Sequence, residues 1–126
     1  MFSSALEVWK IFKSTPFTVA VVSFLAAQFI KFVTTGDVKM LKSYGGMPSG
    51  HVATVSGLVW SLARTTGFES PHTAIAAIML IIIFMDSIVL RPAVKKDLGH
   101  NFLEALAGFG LGFLIAHLFP PRLLLW

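Results

Sequence analysis

There is no cysteine in this chain. Disulfides and thiolate metal sites are excluded, and with them any cysteine-based reading of the redox compartment. Charge is scarce as well. Asp, Glu, Lys and Arg make up 13% of the residues, against roughly 25% in an ordinary soluble domain. Acidic residues are the rarer sign, six against ten basic, for a formal charge of +4. No basic run is interleaved with aromatic residues, so nothing points to nucleic acid as a partner. A secretory signal peptide is not expected at the start, because Glu7, Lys10 and Lys13 interrupt any apolar run there.

Apolar side chains fill the space that charge leaves. Hydrophobic residues reach 56% and the mean hydropathy is +0.80. At 126 residues there is room for a single domain, 1–126. The expected fold is an all-α integral membrane protein, a bundle of four transmembrane helices with an interfacial N-terminal amphipathic helix. The basic surplus then belongs at the lipid headgroups.

Taken in order, residues 3–14 place Ala5, Leu6, Trp9 and Phe12 at helical spacing, with the charges elsewhere. That pattern predicts the interfacial helix, ended by Thr15-Pro16. Spans are predicted over about 17–33, 51–64, 73–90 and 101–119. Lys31 near the end of the first admits two readings, a side chain snorkelling to the headgroups or a phosphate ligand. The second span is short and carries the small residues Ala53, Ser56 and Gly57. Asp86 lies near the end of the third, where a carboxylate needs a partner. Gly108 and Gly112 form a G-x-x-x-G face on the fourth, a feature that also suits a homodimer.

The glycine-rich turn Gly45-Gly46-Met47-Pro48-Ser49-Gly50-His51 precedes the second span. Glycine permits close backbone approach, Pro48 stiffens the turn, and amides at a helix start attract anions. Four crossings bring this turn to the same membrane side as the loop after the third span. That side holds Lys31, Lys39, Lys42, Arg91, Lys95 and Lys96; the other keeps Lys10, Lys13, Arg64 and Arg122. The surplus favours a cytoplasmic site side, although several of these cations are candidate substrate ligands.

His100 and Glu104 are four apart, so a helix starting near His100 would put them on one face. The carboxylate could then hold Nδ1–H and leave Nε2 as a nucleophile. The plainer reading is a capping histidine beside a buried or lipid-facing glutamate. His51, beside the anion cradle, is placed to protonate a leaving oxygen, or simply to meet headgroups.

Pro48-Ser49-Gly50-His51, Asp86 to Arg91, and Gly99-His100 through Glu104 to Gly108 together resemble the type-2 phosphatidic acid phosphatase and vanadium haloperoxidase superfamily. The sequence is most similar to its divergent branch of small bacterial and plant membrane proteins. The resemblance implies a helical bundle with a phosphatase site near the membrane surface, in an integral protein of the bacterial cytoplasmic membrane, acting on a lipid phosphate without a cofactor or metal. It implies His100 as nucleophile, Glu104 as its acidic partner and His51 as general acid. Ser49 and Gly50 would bind phosphate oxygens, with Lys31, Arg91 and Lys42 as cationic ligands and Asp86, Gly46 and Pro48 in support. The superfamily's usual K-x6-R-P motif is absent: Arg91-Pro92 follows the second motif instead of preceding it. Two other classes stay open, a non-catalytic lipid-phosphate binder or small oligomeric transporter, and a metal-dependent hydrolase using His51, His100, Asp86 and Glu104.

Overall fold

A computed structural model describes residues 14–36, 48–90, 93 and 102–119. All regular structure among them is helical: α1 Thr15–Thr35, α2 Gly50–Thr66, α3 Pro71–Met85 continued by a π-helical turn Asp86–Leu90, and α4 Phe102–Leu118. The amphipathic helix expected over 3–14 falls outside the described residues, apart from Ser14.

Local chemistry sets the helix starts. Ser14, Ser49 and Ser70 are the N-caps of α1, α2 and α3. Their hydroxyls accept from Phe17, Val52 and Thr73 amides at 3.5, 3.3 and 3.1 Å, each worth about 1 kcal/mol. Pro16 and Pro71 occupy first-turn positions, where a missing N–H costs nothing. Gly36 ends α1 in the left-handed region at φ 70°.

Two helical stretches are long and apolar enough to cross a membrane, Thr15–Thr34 and Pro71–Leu90, each of 20 residues. α4 is apolar but has 17 residues, which at 1.5 Å per residue is about 26 Å against a hydrocarbon core of about 30 Å. α2 is the least apolar helix and the most enclosed, with Val52, Ala53, Val55, Ser56, Gly57 and Val59 all buried. It packs against each of the other three helices. Against α3 it sets Val55 and Val59 on Ala76, flanked by Leu80 and Ile83.

The contact with α4 depends on glycine. A Cβ at Gly112 would strike the Ala53 carbonyl oxygen and come within 2.6 Å of the Gly57 nitrogen. One at Gly108 would come within 2.5 Å of the Ser49 carbonyl oxygen. The two backbones therefore touch, as small-residue motifs allow, and Ser56 Oγ donates to the Phe109 carbonyl at 2.7 Å across the seam. The glycine face that the sequence offered to a second copy is occupied within the chain by α2.

These contacts give the helix directions. Ser49 meets Gly108 and Arg64 meets Ala116, so α2 and α4 run parallel. Gly50 meets Gln28 and Gly57 meets Ser23, so α1 runs antiparallel to them. The end of α1, the start of α2 and the start of α4 thus share one end of the bundle. The π turn joins them there through its contact with α4.

Candidate functional site

The site end is built on the α2 N-terminus. Pro48, Ser49 and Gly50 are buried and His51 is half-buried. Ser49 Oγ caps the Val52 amide. The Ser49 amide donates to the Glu104 carbonyl at 3.1 Å. This bond ties the Pro-Ser-Gly-His turn to the first turn of α4, two stretches more than fifty residues apart. Gly108, one turn beyond Glu104, lets the Ser49 backbone sit directly on α4.

α1 supplies the other wall. Its protein-facing stripe is Val19, Ala20, Ser23, Ala27, Gln28 and Lys31, all buried. Lys31 is 1% exposed, so the snorkelling reading does not describe it: a lysine reaching along the lipid surface would show its stem. Gln28 is also buried, and its Oε1 lies so close to Gly50 that a Cβ there would be 2.9 Å away. The Phe24 ring stands edge-on to His51, centroids 6.4 Å apart.

Asp86 opens the π turn at the end of α3. Its amide is shared between the Ile82 and Ile83 carbonyls, a three-centre bond of the kind common at helix ends. Ser87, next to it, is buried and its Oγ has no hydrogen-bond partner among the described residues. Phe84 and Phe102 meet edge-on at 5.9 Å, bringing the end of α3 to the start of α4. Asp86 and Glu104 each lie two residues beyond these rings. Below them a wholly apolar groove of about 320 Å³ runs between α3 and α4, lined by Leu80, Ile81, Phe84, Met85, Leu106 and Phe109.

The structure therefore gathers Lys31, Pro48, Ser49, Gly50, His51, Asp86 and Glu104 at one end of the bundle. His100, Arg91, Lys42 and Gly46 lie outside the described residues. Among the described residues no group of three or more His, Asp or Glu is gathered as metal ligands would be.

Two features were not read from the sequence. Gln28 belongs to the site wall, and its signal was a polar residue inside an apolar span one turn from Lys31. Arg64 serves the opposite end, where Nη1 donates to the Ala116 carbonyl at 2.5 Å and the Phe119 carbonyl at 3.0 Å. It thereby satisfies the open carbonyls of α4 and complements its dipole. Nothing in the sequence marks Arg64 for that role, because the contact spans fifty-two residues.

Helices alone among the described residues, two of them long and apolar enough to cross a membrane, define the class: a small helical membrane-associated protein. Residues 12–97 match the Divergent PAP2 family. That is most of the chain, and the chain belongs to this family, a branch related to the PAP2 phosphatases. The match takes in Lys31, the glycine-rich turn, Asp86 and Arg91, and ends before His100 and Glu104. No curated protein and no solved structure matched the chain.

Proposed function

We propose that this protein is a phosphatase of membrane lipids, hydrolysing a phosphomonoester or diphosphate of the phosphatidic acid, phosphatidylglycerol phosphate or polyprenyl phosphate class. The observation that carries the reading is the hydrogen bond from the Ser49 amide to the Glu104 carbonyl. It joins the turn bearing His51 to the helix bearing Glu104, as one phosphoryl-transfer site requires.

In this reading all four helices cross the bilayer of a bacterial cytoplasmic membrane. The substrate phosphate lies against Ser49 and the Gly50 amide at the α2 N-terminus, with Lys31, Arg91 and Lys42 balancing its charge. Asp86, Gly46 and Pro48 support the turn. His100 Nε2 attacks phosphorus as the bond to the lipid oxygen breaks, and His51 protonates the departing alkoxide. Glu104 holds the His100 ring. Water, deprotonated by His51, then attacks the phosphohistidine; phosphate leaves and both histidines are restored. Positioning and charge balance carry most of the acceleration.

The test is phosphate release from a panel of lipid phosphates by purified protein. The wild type is expected to hydrolyse at least one of them, and His100→Ala to hydrolyse none. Full activity in His100→Ala sinks the mechanism. Binding without turnover favours the non-catalytic reading. Stoichiometric metal, with activity lost to a chelator, favours the metal-dependent one.

The groove between α3 and α4 offers the lipid tail a path into the bilayer beside the polar end. Leu106 lines it and is half-exposed, so Leu106→Trp can fill it without entering the core. This variant is expected to raise KM several-fold for long-chain lipid phosphates and leave a short-chain ester little changed. Equal effects on both would remove the groove from the substrate path.

A further inference from the structure

We propose that the aromatic pocket at the far end of the bundle, opposite the Pro48-to-His51 turn, holds the phosphodiester headgroup of a membrane phospholipid. The proposal uses the membrane-spanning part of the reading above and none of its chemistry.

The pocket lies where α2 and α4 end. It is a space of about 260 Å³ lined by Trp60, Arg64, Phe68, Phe113 and His117. Trp60 stands edge-on to Phe68, Phe109 and Phe113, with ring centroids 6.2, 6.0 and 4.7 Å away. His117 lies nearly flat against Phe113 at 5.9 Å. Sites that enclose a whole drug-sized molecule run from about 300 Å³ upward, so this one suits a headgroup whose acyl chains stay outside.

Two kinds of donor in it are unused. The Trp60 Nε1–H is closed to solvent and has no hydrogen-bond partner among the described residues. Such a donor costs about 1–3 kcal/mol until an acceptor reaches it. Arg64 directs Nη1 to the Ala116 and Phe119 carbonyls. Its planar fork has donors on Nε and Nη2 as well, and these remain for a ligand. A guanidinium and an indole N–H both call for an acceptor, and the positive charge selects an anion. It also rejects a quaternary ammonium, which the aromatic walls alone would have suited. Glu69, on the adjoining turn, is exposed and is not among the lining residues. Arginine and tryptophan at the end of a membrane helix sit at headgroup level, where the anion within reach is a lipid phosphate. Phe68, 70% exposed on the turn after α2, is the wall that can swing aside to let a phosphate oxygen meet the indole.

Two substitutions test this. Arg64→Lys keeps the charge and a donor for the α4 carbonyls but loses the fork that grips two phosphate oxygens. Trp60→Phe keeps a ring and removes the N–H. Full-length protein in dodecyl maltoside is titrated with dioctanoyl phosphatidylglycerol, dioctanoylglycerol and inorganic phosphate, with binding followed by native mass spectrometry. The wild type and His51→Gln are expected to bind phosphatidylglycerol saturably and alike. Each pocket variant is expected to weaken it about tenfold, the effect of one hydrogen bond to a charged group. Wild-type affinity in either variant would overturn the proposal; should Arg64→Lys fail to fold, Trp60→Phe decides alone. Equal affinity of the wild type for dioctanoylglycerol would show an apolar cleft that ignores phosphate, and would overturn it too. So would inorganic phosphate binding that both variants weaken equally, which would make this a free-phosphate site. Phosphate release from a lipid phosphomonoester should be unchanged in both variants. A matching loss there would place the bound lipid at the other end of the bundle and sink the idea. A wild type that hydrolyses nothing, yet binds phosphatidylglycerol through Arg64 and Trp60, ends the phosphatase reading and leaves this one standing.

Discussion

Gly112→Ala is expected to destabilise the protein by about 3 kcal/mol, the upper part of the range for overfilling a close contact. The new methyl group would meet the Ala53 carbonyl oxygen, the Gly57 nitrogen at 2.6 Å and Ser56 Cβ at 2.8 Å. Two of these three neighbours are backbone atoms, which cannot rotate away as a side chain can. α2 and α4 must separate instead, and Ser56 then loses its bond to the Phe109 carbonyl. Gly110 provides the internal control. It lies on the same helix, and a Cβ there meets nothing within 4 Å. Gly110→Ala should be neutral or stabilising by up to about 1 kcal/mol, because alanine is the better helix former. Thermal unfolding in one detergent, followed by circular dichroism, compares the pair. Equal melting temperatures would show that α2 and α4 do not touch as described. Gly108→Ala should add a functional loss, since its methyl group would press on the Ser49 carbonyl and push the Pro48-to-His51 turn off α4.

The second large effect is expected at His51. His51→Gln should lower kcat on alkyl lipid phosphates by about 10²–10⁴-fold, the usual contribution of a general acid. KM should change little, because the lost interaction belongs to the transition state. The fold should survive: His51 is only half-buried on the first turn of α2, with its ring edge-on to Phe24. The leaving group makes the prediction specific. An aryl phosphate departs as a stable phenolate and has little need of a proton, so its P–O cleavage should be much less impaired. The second step still lacks its base, so phosphoenzyme should accumulate on His100 with the aryl substrate. Labelled phosphate trapped by denaturation in alkali, where phosphohistidine persists, would reveal it. Equal losses on alkyl and aryl substrates, with no trapped label, would remove His51 from the role of general acid.

How far the site could be read in advance differs residue by residue. The sequence marked Ser49 for phosphate, and its cap bond to the Val52 amide came only with the structure, although capping is local. The π-helical turn at Asp86 was not legible, because a continuous apolar run predicts one regular helix. Lys31 was ambiguous for a different reason. A lysine three residues from a span's end can turn toward lipid or toward protein, and periodicity does not say which face a neighbouring helix will cover. Gly108 and Gly112 announced close helix contact without naming the partner. A second copy and α2 were equivalent until the chain's path was known.

Sequence was enough for the helical class and for the starts of α1, α2 and α3 to within about two residues. Both follow from short-range causes: hydropathy, and proline and glycine at helix ends. Tertiary structure alone decided that α2 is the helix every other one packs on, that Lys31 and Gln28 face protein, and that Arg64 caps α4. It also decided that the Ser49 amide rests on the Glu104 carbonyl. Each of these is a contact between separate helices, chosen by which surfaces fit together in three dimensions.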